Sequence, residues 1–182
     1  MDGFVDYRKR DVQLPPGCKD LIDVLNRARK IAPECLGSIS EWLPPGAQPE
    51  RIGHGGLGSI RNYVTWLLTA AVKPSFLVIH AGAFPFHLFC ETEAGPLALF
   101  LAIPEGDSER ERPILSFFSD RCIDPAPNHP PCRSGWRVFL YPLPCVTGPA
   151  AALVITLLKS VYHVSEDTHL HFLCGHYPGG LG

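Results

Sequence analysis

The chain has 182 residues, enough for one domain with a proper core and short for two. A hydrophobic share of 46% beside 19% charged residues excludes disordered and fibrous classes, and a net charge of −2 removes the electrostatic case for nucleic acid or acidic lipid. The 19 prolines, roughly twice the usual share, predict many loops, turns and edge positions, because proline removes a backbone donor and fixes φ.

The N-terminal MDGFVDYRKRD carries charges throughout and lacks the apolar run of a secretory signal. The longest apolar window, 149–158, is about half of the roughly 20 residues that a membrane-spanning helix needs. A soluble, cytoplasmic protein with no membrane partner is therefore expected. Seven cysteines, an odd number, fit reduced thiols better than a disulfide framework.

In chain order, residues 1–17 read as an N-terminal arm, 18–176 as a single domain and 177–182 as a flexible tail. Leu21, Leu25, Ala28 and Ala32 recur at i, i+4, i+7 and i+11, predicting an amphipathic helix that Pro33 ends. Residues 33–53 are broken by Pro33, Pro44, Pro45, Gly46 and Pro49 and read as a loop with at most one helical turn. Ile60, Val64, Leu67 and Ala71 repeat the helical stripe, starting near Gly58 or Ser59 and stopped by Lys73-Pro74.

The most apolar block follows. Residues 76–81 are apolar on both faces apart from His80, as in a strand covered on each side. Residues 86–92 alternate, with Phe86, Leu88 and Cys90 opposite His87, Phe89 and Glu91. Leu97, Leu99, Leu101 and Ile103 line one face of a third strand, and short turns join the three. Residues 114–118 and 136–141 read as further strands, and 119–135, with four prolines and no periodicity, as a long loop. A helix over 149–164 is apolar nearly all round and hence buried, and Leu170, Phe172 and Cys174 form the inward face of a last strand. Strand, buried helix and strand in succession predict a right-handed crossover with a parallel final pair. The architecture is α+β: a mainly antiparallel sheet of about five to six strands carrying three helices.

Three groups of residues stand as candidate sites. His169 and His171, two apart on a strand, leave the same face and with His163 or His176 make a ligand set for zinc or another transition metal. The competing reading turns them outward on a half-exposed strand. Gly53-His54-Gly55-Gly56-Leu57-Gly58 satisfies G-x-G-x-x-G ahead of a helix, so Gly55, Gly56, Gly58 and Ser59 form a candidate anion site. A dinucleotide reading fails on context, with no preceding strand and no acidic residue about 20 positions on, and a plain helix entry capped by Ser59 competes. In the long loop, Cys122, His129 and Cys132 offer a metal set, a facultative disulfide or an exposed partner-binding loop.

Cys90 and Cys174 lie near His87 and His176 in sequence, yet Cys90 shares its face with Phe86 and Leu88, which favours packed, inert thiols. His80 is the histidine whose burial the pattern forces, and His87 is buried too if its face of the sheet is covered. There is no G-x-S-x-G elbow, no P-loop lysine and no H-E-x-x-H. The functional expectation is a non-catalytic binding or protein-interaction domain without a cofactor, whose partner is a protein or a small molecule. Its alternative is a metal-dependent enzyme, a hydrolase or oxygenase, built on the C-terminal histidines. An apolar surplus in the first central strand and third helix adds a homo-oligomer to the expected partners.

Overall fold

Residues 48–81, 84–90, 97–125 and 136–176 are described by a computed structural model, which leaves the arm, the first predicted helix and the tail outside the described residues. Six strands form one sheet: β1 Gln48–Gly55, β2 Ser75–Ala81, β3 Phe84–Cys90, β4 Leu97–Pro104, β5 Trp136–Leu143 and β6 Leu170–His176. Their order is β1-β6-β2-β3-β4-β5, and every neighbouring pair is antiparallel. Helices α1 Ile60–Thr69, α2 Ser108–Ser119 and α3 Thr147–Ser160 complete the described elements, with a short 3-10 turn at Leu57–Ser59 leading into α1.

Period-2 alternation turns Leu77, Ile79, Phe86, Leu88, Leu97, Leu99, Tyr141 and Phe172 to one face, where they share a core with all three helices. Each helix brings the stripe its sequence predicts or conceals. In α1 the buried residues are Ile60, Tyr63, Val64 and Leu67. In α3 they are Ala150, Ala151, Val154, Leu157 and Leu158. Burying each large aliphatic or aromatic side chain contributes about 1.5–3 kcal/mol, so this face carries most of the stability.

Two further devices seat α1. Lys73 Nζ donates to the carbonyls of Leu67 (2.6 Å) and Leu68 (3.3 Å), and buried Ser75 Oγ donates to Leu67 (3.0 Å), so the helix end has partners for its orphan carbonyls. At the other flank Tyr63 stacks on Phe172 with centroids 4.0 Å apart, directly above Gly53. A Cβ at Gly53 would stand 1.7 Å from Tyr63 Oη, and one at Gly55 would stand 2.2 Å from Ser59 Oγ.

Several expectations need correction. Residues 114–118 are helical, not a strand: Asp107 caps α2 by accepting from Arg110 N–H (3.2 Å), and Ile114, Phe117 and Phe118 are its buried i, i+3, i+4 stripe. Pro113 lies inside that helix and disguised it. The expected loop 33–53 ends in strand β1, so the Gly-rich segment does follow a strand, an antiparallel edge one. The final strand is not paired in parallel. β5 and β6 do run in the same direction across the α3 crossover, but β6 inserts between β1 and β2, antiparallel to both. The third helix ends at Ser160, short of residue 164.

Candidate functional site

The sheet has a second face, opposite the helices, and the histidines gather there. Cross-strand register places His54 of β1 opposite His171 of β6, and His171 opposite His80 of β2. His80 pairs with Pro85, so His87 stands two residues along β3, diagonal to His80 on the same face. His169 lies just before β6, with its ring centroid 5.7 Å from that of His54. The row passes from exposed His54 and His169 through half-buried His171 to His80 and His87, each 2% exposed.

Its inner end is apolar. Phe76, Val78 and Leu173 are buried beside the histidines, and the rings of Phe100 and Phe89 lie 5.8 Å and 6.3 Å from His87. Burial pulls the His87 pKa down to about 3, with His80 adding to the effect, so His87 is a neutral imidazole at physiological pH. The described strand positions of this face (Ile52, His54, Phe76, Val78, His80, His87, Phe89, Ala98, Phe100, Pro104, Leu140, Pro142, His171, Leu173 and Gly175) hold no carboxylate, hydroxyl or thiol.

The candidate metal set does not assemble as the sequence suggested. His176 ends β6, about 20 Å of strand from His169, where its Nδ1 contacts the Glu50 carboxylate. His163 is exposed beyond α3 at positive φ. Among the described residues no three His, Cys, Asp or Glu side chains converge as a metal group. In the Gly-rich segment, Gly53 and Gly55 leave room for Tyr63 and Ser59, Gly56 precedes the 3-10 turn, Gly58 is its middle residue, and Ser59 makes no side-chain cap. Cys122 is an exposed free thiol just beyond α2, while His129 and Cys132 lie outside the described residues. Cys90 and Cys174 are buried in the helix-side core, on the face opposite His87, and burial pushes the Cys174 thiol up to about 12. A thiol so placed is protonated at neutral pH and packs as a small hydrophobe.

A different feature was not visible in the sequence. A groove of about 600 Å3 runs along the outward side of α2, lined by Ser108, Glu111, Arg112, Leu115, Ser116, Ser119 and Arg137. No α1 or α3 residue lines it, and its one strand residue, Arg137, belongs to β5, which stands last in the order of the described strands. Its lining repeats at i, i+3, i+4, i+7, i+8 and i+11 from Ser108, which is one helix face. Arg137 of β5 pairs with Glu111 and lies over the Phe139 ring, fixing α2 to the start of β5. Leu115, 37% exposed, is the groove's apolar element, and Arg112 makes no ion pair among the described residues. A helical reading of 108–119 would have exposed this face in the sequence; reading 114–118 as a strand hid it.

Comparisons with protein-family models, with curated proteins and with solved structures find no match for this chain. Among the described residues no helix is long and apolar enough to cross a membrane.

Proposed function

We propose that this chain is a non-catalytic interaction domain that takes an extended peptide segment into the groove beside α2. The single observation that carries the reading is the groove itself, lined by one face of α2, with Leu115 exposed in it, and by Arg137 of β5, the last of the described strands in the sheet. A terminal strand presents backbone N–H and C=O groups to an incoming segment, which adds as a further strand and gains affinity from main-chain hydrogen bonds. Side chains of the added strand then set specificity. Leu115 favours an apolar residue, and Arg112, with no acidic partner among the described residues, favours a carboxylate. Ser108, Ser116 and Ser119 supply polar edges that accept either orientation of a peptide amide.

The test is selection from a random displayed-peptide library, followed by fluorescence anisotropy on the selected peptides. Acidic, extended sequences are expected, with binding weakened at least tenfold by Leu115→Asp and by Arg112→Glu. Both residues are exposed, so the variants keep the fold. No selected peptide, or peptides that bind both variants like the parent, would contradict the proposal.

A further inference from the structure

We propose that His54 and His169 form a surface site for a divalent transition-metal ion that clips β1 to the start of β6. The two rings belong to different elements, one on the edge strand and one in the segment entering β6, and their centroids stand 5.7 Å apart with planes inclined by 38°. A metal–imidazole bond of about 2.0–2.1 Å puts each ring centroid roughly 3 Å from the ion, so two rings on one ion stand roughly 5–6 Å apart. The observed spacing falls in that interval without any backbone movement.

Both side chains are exposed, which leaves the remaining coordination positions to water. His171, opposite His54 in the β1–β6 register, adds a third imidazole to the same face, although no three side chains converge among the described residues. The site is thus an open two-imidazole one. Imidazole nitrogen selects Zn2+, Ni2+ and Cu2+ over Mg2+ and Ca2+, which take oxygen donors. With a common ligand pair, affinity rises from Ni2+ to Cu2+ and falls again at Zn2+.

The consequence is structural. β1 pairs with β6 alone among the described strands, and an ion bridging the two elements stabilises the docked strand by mass action. This site is independent of the peptide groove, which lies beside α2 at the opposite edge of the sheet.

Isothermal titration of metal-free, tag-free protein with Zn2+, Ni2+ and Cu2+ tests the proposal, paired with thermal melts. One ion per chain, tightest for Cu2+, and a higher midpoint with metal are expected. His54→Ala and His169→Ala should each weaken binding at least tenfold, whereas His176→Gln, at the far end of β6, should leave it unchanged. Undiminished binding in the His54→Ala, His169→Ala double variant would overturn the assignment. So would a midpoint rise with Mg2+ equal to that with Zn2+, or no binding of any of the three metals at millimolar concentration.

Discussion

His87 shows how a single side chain sets a condition on the whole fold. In the unfolded chain its imidazole takes a proton near pH 6.5, whereas in the folded protein burial and His80 hold the pKa near 3. Between those values the unfolded state binds one more proton than the folded state. Stability is therefore intact above pH 6.5 and falls as the pH drops toward 3, by about 1.4 kcal/mol per pH unit from this group. Urea unfolding at a series of pH values should show that slope, and His87→Leu should reduce it by about one proton, whatever the variant costs at pH 7. An unchanged slope would place the acid sensitivity elsewhere. Tyr141 presents the opposite situation. It is fully buried, stacked on Phe118 at 3.6 Å, and its hydroxyl has no hydrogen-bond partner among the described residues. Burial, with Glu111 adding to it, pushes its pKa up to about 12. Tyr141→Phe keeps the stack and removes the buried hydroxyl, so stability should be unchanged or higher by up to about 2 kcal/mol. A loss of more than about 1 kcal/mol would mean that the hydroxyl is hydrogen-bonded.

At the scale of elements, the seating of α1 on β1 and β6 depends on a glycine. Gly53→Ala puts a methyl group onto the hydroxyl end of Tyr63, whose ring stacks on Phe172 and has the Arg51 guanidinium 5.2 Å from its centroid. Overpacking of this kind costs about 1–3 kcal/mol. Tyr63→Phe removes the atom in closest conflict, so the double variant should recover part of the loss, and strict additivity in denaturant unfolding would refute the steric account. The elements legible in the sequence are those whose periodicity is unbroken. β2, β3 and β4 alternate or run apolar without interruption, and α1 and α3 keep clean stripes. Those misread contain residues of the wrong local propensity. β1 carries Pro49, Gly53 and Gly55, tolerable because it is an edge strand whose glycines make room for a helix. α2 carries Pro113 within the helix, on its exposed side. Tertiary packing overrides propensity at both places, and no local rule reveals it. The placement of β6 was illegible for another reason: strand direction follows from a crossover, but insertion between two earlier strands does not.

The molecule as a whole is a sheet with two unlike faces. One packs three helices over a continuous apolar core, and β2 is buried along its entire length. Among the described residues only Val72, Leu115 and Val146 are large exposed hydrophobics. The other face collects His54, His171, His80 and His87 into a row that no sequence motif announces, because the four come from four strands and meet only through register. The groove beside α2 was equally hidden, since its existence depends on a helix that the sequence pattern conceals. The interaction reading rests on that groove and on the place of β5 as the last of the described strands in the sheet. Amide hydrogen exchange with and without a library-selected peptide examines it most directly. A bound segment that adds to the sheet should slow exchange at least tenfold in β5 and protect α2, leaving β1 at the opposite edge unchanged. Binding with protection confined to β1 and β6, or with β5 exchange unaltered, would contradict the account.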